Sequence, residues 1–473
     1  MRKRVLSILL SVAMVLSLLP TAVFADEVGG TEGTGETGGT TAFATGECGA
    51  DGSSVTWTLT QNNAGEENPT YTLTIDGAGA MKDFNLKQLS DSAWSSDAPW
   101  YDKLRIDSQT ERYPVTDLVV GDGITHIGGA AFASLAISEI SFKQNVTSYG
   151  AYAYITCTAV TTVDWTNFRL DTIPEGLLYG CTALCTFKNG GTDSADHALM
   201  LPDTVTGIGT SAFFGCTSLI HADLTNLSKS IGQNAFMGCT ALKQVTLPKT
   251  VDESCVDSYF GIGCFSSTAL ETITLPDNVT AISDYMFKQC GLLTDVKTTS
   301  SIKTIGKTAF FCDKDSVGKA SAPWSSFVGT NLNLSGVTTI GESAFNSCSS
   351  LKSVIHLDSI QSLGVRAFGD CSSVQVVDMS KAGDSITFEN NGESNQFTLL
   401  GDNSVIYVAS NLDSLTDLYE GIYSKGRTAL AVTNGGTFPE GTVFTAGTLA
   451  TPVKGNSVFA GWYENADFSG SRV

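Results

Sequence analysis

A cysteine three residues after a phenylalanine returns at nearly constant spacing along this chain. Residues 208–219 read IGTSAFFGCTSL and 231–242 read IGQNAFMGCTAL. Further copies are ISDYMFKQCGLL (282–293), IGESAFNSCSSL (340–351) and LGVRAFGDCSSV (363–374), with weaker ones at 149–160 and 173–184. Two shorter copies without the repeat cysteine lie at 131–137 and 264–270, and IGKTAF at 305–310 leads into an insertion. Their anchor residues fall at 132, 154, 178, 213, 236, 265, 287, 310, 345 and 368, mostly 22 to 24 residues apart with longer steps of 29 and 35. A unit this short cannot bury an apolar face by itself. The chain is therefore expected to stack about ten coils into a solenoid with one continuous core.

Each copy is followed by a short alternating stretch: LKQVTLP (242–248), LETITLP (270–276), LKSVIHL (351–357) and VQVVDMS (374–380). Apolar residues at every second position, bounded by Pro, Asn or Asp, predict a short strand. Within AFMGC the apolar residues sit at i, i+1 and i+4, which predicts a single helical or 3₁₀ turn facing inward. The fold class is then an α/β solenoid, β-rich, right-handed, with short parallel strands and short helical turns.

The inward ladder is expected to comprise Phe213, Phe236, Phe287, Phe345 and Phe368 with Cys157, Cys181, Cys216, Cys239, Cys290, Cys348 and Cys371. Leu135 and Thr268 occupy the cysteine register in other coils, and neither suits a metal. Free cysteine behaves as a small hydrophobe, so these thiols are expected to be buried, with raised pKa values and little reactivity. On that view Cys239→Ser costs about 1–3 kcal/mol, more than Cys239→Ala, because a buried hydroxyl needs a partner. The recurrent glycines Gly128, Gly209, Gly232, Gly306, Gly341 and Gly364 suit either a positive φ or a close approach between coils.

The unit I-G-x-x-A-F-x-x-C-x-x-L-x-x-V-x-L-P resembles the BspA-like leucine-rich repeat of bacterial surface and secreted proteins, over roughly residues 117–400. Its period lies in the leucine-rich-repeat range. Upstream, GECGADGSSVTWTLT (46–60), YTLTIDGAGAMKDF (71–84) and APWYDK (98–103) resemble the β-rich module that accompanies such repeats. Residues 46–116 are expected to cap the first coil, whose open end would otherwise expose core. Downstream, residues 401–427 are expected to close the array with a strand and a helix. Residues 428–473, with Asn434-Gly435-Gly436 and Phe459-Ala460-Gly461-Trp462-Tyr463, resemble the Listeria–Bacteroides repeat, a small β-grasp-like module. The sequence stops where that module has one more strand, so it is expected to be incomplete.

Arg2, Lys3 and Arg4, the apolar run from Val5 to Leu19 and the small residues before Asp26 predict a signal peptide at 1–25. The run is too short for a membrane span, and no later stretch of about 18 apolar residues replaces it. Residues 26–45 are Gly, Thr and Glu, a flexible linker. The chain carries a net charge of -21, and cleavage would remove three basic residues and no acidic ones. Such a surface repels phosphate backbones, so nucleic acid is excluded as a partner.

No catalytic, metal or cofactor site is read from the sequence. Zinc would need four ligands, and Cys181/Cys185 has no second pair nearby. The off-register cysteines Cys48, Cys185, Cys255, Cys264 and Cys312 are the better disulfide candidates, without a readable pairing. His126, His197, His221 and His356 fit no metal motif, and no G-x-S-x-G is present. The candidate binding residues are Pro323, Trp324 and Phe327, aromatics and a proline on the inserted stretch 311–331. The bland alternative beside them is that Trp324 folds back onto the solenoid. The resemblance implies a monomeric, non-enzymatic protein without cofactor, secreted or held at a bacterial cell surface. It would serve recognition or adhesion to an extracellular protein or glycan of a host or neighbouring cell. The alternatives are a structural cell-envelope spacer and a substrate-binding appendage of a hydrolase system.

Overall fold

The computed structural model describes residues 42–452 except 64–65, 90–93, 107–111, 191, 194–197, 313–325, 383–385, 390–395, 398–399, 401–403, 409–427, 434–437, 439–441 and 443–448. All of them belong to the unit Thr41–Val473. The signal peptide (1–25), linker residues 26–41, His197, Pro323, Trp324, and most of 401–427 and 428–473 lie outside the described residues.

Most repeats contribute two short parallel strands. The first is three residues long, as in Thr162–Asp164, His221–Asp223, Gln244–Thr246, Thr272–Thr274, Asp295–Lys297 and Val354–His356. Because side chains alternate across a strand, the central residue turns inward and its two neighbours turn outward. The central residues Val163, Ala222, Val245, Ile273, Val296 and Ile355 are all buried. Successive coils keep register, with His221 opposite Gln244 and His356 opposite Asp378. The second strand is two residues long: Ala281–Ile282, Thr304–Ile305, Thr339–Ile340, Ser362–Leu363 and Thr387–Phe388 form one parallel sheet. Its Ile282, Ile305, Ile340 and Leu363 are buried.

The segment expected to be a helical turn has a different backbone. Residues two before and two after the anchors take positive φ, save that at Phe310 only the preceding Thr308 does: Ser211 (54°) and Gly215 (68°) around Phe213, Asn234 (54°) and Gly238 (76°) around Phe236, Ser343 (55°) and Ser347 (68°) around Phe345. A right-handed helix needs negative φ throughout. The alternation instead points every second N–H along the stack. Ser211, Phe213 and Gly215 donate to the carbonyls of Gln233, Ala235 and Met237 in the next coil, at 2.8, 2.9 and 2.8 Å. The intervening N–H groups of Ala212, Phe214 and Cys216 close local turns onto Gly209, Ser211 and Phe213. A lone helical turn would leave its end groups without partners, whereas this ladder satisfies them coil to coil.

The recurrent glycine serves close approach rather than a positive φ. A Cβ on Gly232 would fall 2.5 Å from the backbone of Gly209 and Thr210, and one on Gly364 would fall 2.3 Å from the nitrogen of Glu342.

At the N-terminal end β1 (Ala42–Glu47), β2 (Ser54–Gln61) and β3 (Tyr71–Ala80) form an antiparallel meander. The strand Val115–Val120 pairs with β3 in parallel, and the end of β3 pairs with Ile124–Ile127, which leads into the solenoid through Ser148–Tyr149. Trp57, Leu59, Tyr71, Leu73 and Ile75 are buried in the meander's inner face. The short helix α1 (Pro99–Lys103) starts on proline and buries Trp100 and Tyr101. The Trp100 ring lies 6.3 Å from Phe132, and the Tyr101 hydroxyl donates to the carbonyl of Ala133. Ala42–Thr45, expected in the flexible linker, belong instead to β1. Backbone pairing with β2 and the Phe43 ring 5.0 Å from Tyr71 hold them there.

At the C-terminal end the strand Thr428–Val432 pairs in parallel with Ser404–Val408, which pairs with Val376–Met379. The strand at the start of the stretch expected to form a β-grasp-like module lies in the solenoid's sheet, where it covers the edge of Ser404–Val408. Among the described residues after Val432 no further strand occurs. On the outward face of this end Val376, Val405, Tyr407, Ala431 and Phe438 form a second apolar cluster.

Candidate recognition surface

The inward ladder is chemically silent. All seven repeat cysteines are buried, and each Sγ donates to the carbonyl of the preceding coil's anchor residue. The pairs are Cys157 to Phe132 (3.0 Å), Cys181 to Tyr154 (3.4 Å), Cys216 to Leu178 (3.4 Å), Cys239 to Phe213 (3.1 Å), Cys290 to Phe265 (3.1 Å), Cys348 to Phe310 (3.4 Å) and Cys371 to Phe345 (3.1 Å). Burial pushes the thiols of Cys157 and Cys239 up to about 12, and those of Cys181, Cys216, Cys290 and Cys371 upward as well. A thiolate nucleophile or ligand is disfavoured at such positions. In the coil that carries Thr268, the hydroxyl reaches the carbonyl of Phe265 at 2.9 Å and lies 3.3 Å from Cys290 Sγ.

Beside the thiols runs a column of rings. Phe213, Phe236, Phe265, Phe287, Phe310, Phe345, Phe368 and Phe397 stack with centroids 5.0 to 6.2 Å apart. Such aromatic contacts add about 0.5–1.5 kcal/mol each beyond area burial. Phe327 joins this column. Expected to present its ring on a loop, it is instead 2 % exposed and lies 4.5 Å from Phe310. The apolar ring gains more from packing beside the stacked pair Phe310 and Phe345, 4.5 and 6.4 Å away, than from water. Its partners Pro323 and Trp324 lie outside the described residues.

Among the described residues no disulfide forms, and no group of three or more His, Cys, Asp and Glu side chains is arranged to hold a metal ion. Of the off-register cysteines, Cys48, Cys264 and Cys312 are buried, while Cys185 and Cys255 are partly exposed. His126 Nδ1 lies 2.7 Å from Ser148 Oγ, and its Nε2 lies 3.4 Å from Asp83 Oδ1. Asp83 Oδ1 also accepts the N–H of Gly129 at 2.6 Å, and that bond foremost holds its carboxyl below the usual range. Among the described residues no helix is long and apolar enough to cross a membrane.

The outward face of the three-residue strands carries side chains that are exposed or half-buried. Their flanking side chains form two rows that differ from coil to coil: His221, Gln244, Thr272 and Asp295 in one, Asp223, Thr246, Thr274 and Lys297 in the other. Ion pairs cross between coils, Lys188 to Glu139 at 3.2 Å and Lys307 to Glu342 at 2.5 Å. Toward the C-terminal end His356 Nδ1 meets Asp378 Oδ2 at 3.2 Å. Burial alone would raise the Asp378 pKa. Hydrogen bonds from His356 and Ser380 outweigh it and hold the carboxylate below its usual range. Sequence reading missed this pair, although His356 and Asp378 are 22 residues apart, one repeat step. Periodicity marks them only as facing outward.

The family model of the BspA type leucine rich repeat region matches residues 110–195, 192–316 and 325–416 in 6 copies. No curated protein matches the chain. Among solved structures, a leucine rich cell surface protein from Faecalibacterium prausnitzii A2-165 is 20 % identical over 80 % of this chain and 97 % of that one, with a TM-score of 0.38. A leucine-rich repeat protein from Bacteroides ovatus ATCC 8483 is 20 % identical over 79 % and 98 %, with a TM-score of 0.36. The leucine rich repeat protein of T. pallidum is 19 % identical over 56 % and 94 %, with a TM-score of 0.27.

Proposed function

Because the chain belongs to the BspA-type leucine-rich repeat family, we propose that it is an exported, non-enzymatic recognition scaffold for a protein or glycan on a host or neighbouring cell. One observation carries this reading. The strands keep an apolar residue at the centre of every coil while the outward flanks change, from His221 and Asp223 to Gln244 and Thr246 to Thr272 and Thr274. A constant core holds a changing surface, which is what recognition by many modest contacts needs. Several copies on one cell would strengthen such contacts by avidity. The buried thiols supply no nucleophile, which supports a scaffold over an enzyme. In the same reading residues 46–116 cap the first coil and residues 401–427 belong to the closing end.

Purified chain applied to protein and glycan arrays tests the proposal. Saturable binding to one class of partner, weakened by alanine at His221, Gln244 and Thr272 together, is the expected result. An absence of binding across both panels would leave the envelope spacer in its place. Hydrolysis abolished by a single substitution would overturn the non-enzymatic reading.

A further inference from the structure

Across the four coils anchored by Tyr154, Leu178, Phe213 and Phe236, the outer side of the turns differs from that of the later coils. In a chain of net charge -21, segments 149–160, 173–184, 208–219 and 231–242 hold one charged residue, Glu175. The equivalent segments further on carry Asp284 with Lys288, Glu342, and Arg366 with Asp370. In place of charge the four coils carry Tyr152, Tyr179, Phe214 and Met237, all half-buried. Tyr152 and Tyr179 meet edge to face at 6.0 Å, and Tyr179 and Phe214 stack at 4.4 Å with planes 3° apart. Depletion of charge with enrichment in aromatics and methionine is the composition of a contact surface. Beside the rings runs bare backbone. Gly180, Gly215 and Gly238 follow Tyr179, Phe214 and Met237, and a Cβ on Gly215 or Gly238 would meet nothing nearer than a neighbouring glycine at 3.8 Å. Their positive φ does not demand glycine, because Thr156, Ser267 and Ser347 hold the same register at 52°, 58° and 68°. Beyond this strip Thr217 and Thr240 are exposed.

Area, main chain and ring orientation decide the partner. Four coils about 4.8 Å apart give a face about 15 Å long and one or two side chains wide, far short of the roughly 800 Å² that each partner buries in a stable protein interface. The main chain offers an extended peptide no pairing, because the N–H groups of Gly180, Gly215 and Gly238 already donate along the stack to Phe214, Met237 and Ser266. Tyr179 and Phe214, stacked face to face from coil to coil, turn their edges to solvent. A ring edge is the positive part of the quadrupole, so it suits ligand oxygens and does not attract a cation. Glu175, whose Oε1 accepts the Tyr152 hydroxyl at 3.2 Å, opposes an anion. A narrow, neutral chain rich in both C–H and O–H groups fits all of these.

We infer that this face binds a neutral glycan chain, laid along the coils with its rings against Tyr179, Phe214 and the glycine strip and its hydroxyls beside Thr217 and Thr240. The inference rests on the recognition reading, names a class of partner for it and places the contact on the turns.

Calorimetric titration of the full chain with β-linked hexamers of glucose, mannose and N-acetylglucosamine, and with hexagalacturonate, tests it. At least one neutral hexamer should bind, about ten-fold or more tightly than hexagalacturonate. Equal binding of hexagalacturonate would overturn the inference, as would no binding of any neutral hexamer at millimolar concentration. Gly215→Ser with Gly238→Ser fills the strip with a residue that the register accepts at Ser347, and should lose about ten-fold or more of the affinity. Phe214→Asn, which copies Asn346 one coil position after its anchor, should lose as much. Affinity unchanged in both folded variants would sink the proposal. Hydrogen exchange on the unmodified chain decides the matter even if the variants misfold. The bound hexamer should protect residues 211–217 and 234–240, and protection confined to the strands His221–Asp223 and Gln244–Thr246 would overturn the inference. A protein partner found on the arrays while no hexamer binds would remove this inference and leave the recognition scaffold standing.

Discussion

The Sγ of Cys239 donates to the carbonyl of Phe213 in the preceding coil at 3.1 Å, an oxygen that also accepts the N–H of Cys216 at 3.2 Å. The cysteine is therefore a donor as well as a small apolar filler. This reverses the ranking drawn from composition alone, because a serine hydroxyl would find an acceptor already in place. Cys239→Ser should cost about 0.5–1.5 kcal/mol, and Cys239→Ala, which loses both donor and volume, about 1–3 kcal/mol. Denaturant unfolding of the two variants checks this. A serine variant less stable than the alanine variant would show that the thiol's bond contributes nothing.

Burial sorts the thiols by reactivity. A thiol-specific reagent at neutral pH should label Cys185 and Cys255 in the native chain and all twelve cysteines after denaturation. Mass spectrometry of the labelled chain gives the count. Rapid native labelling of Cys239 or Cys216 would contradict their place in the core.

The same burial predicts alkaline instability. An unfolded thiol ionises above about 8.5, whereas Cys157 and Cys239 stay protonated in the fold up to about 12. Their contribution is whole below about pH 8.5 and is lost as pH rises toward about 12. By linkage each such thiol removes about 2 kcal/mol between pH 8.5 and 10. Circular dichroism during an alkaline titration should show cooperative unfolding in that range or just above it. Replacing Cys216 and Cys239 by alanine should make stability fall less steeply with pH, and an unchanged slope would remove the thiols as its cause.

The recurrent glycine after each second strand and the positive-φ positions are different residues in this backbone, which gives two opposite substitutions. Gly232→Ala would place a Cβ 2.5 Å from the backbone of Gly209 and Thr210 and should destabilise by about 3 kcal/mol or more. Thr308 holds a β-branched side chain at φ 56°, a conformation costing about 1–2 kcal/mol. Thr308→Gly should accordingly stabilise the protein by about 1 kcal/mol, net of glycine's extra chain entropy. Thermal unfolding of both variants tests the pair. A neutral Gly232→Ala would mean that the coils can move apart.

Local patterns along the chain determined much of this protein. The repeat period, the period-two alternation of stretches such as LKQVTLP and the burial of Ile231, Ala235, Phe236, Cys239 and Leu242 depend only on which residues are apolar and how far apart they lie. Tertiary structure decided whatever depends on the neighbouring coil. The turn at Ser211–Gly215 is not helical because its N–H groups bond to Gln233, Ala235 and Met237, more than twenty residues on, and no local propensity encodes that choice. Thr428–Val432 joined the solenoid because Ser404–Val408 offered it an edge, and Phe327 went inward because its ring packs against Phe310 and Phe345, which belong to two different coils.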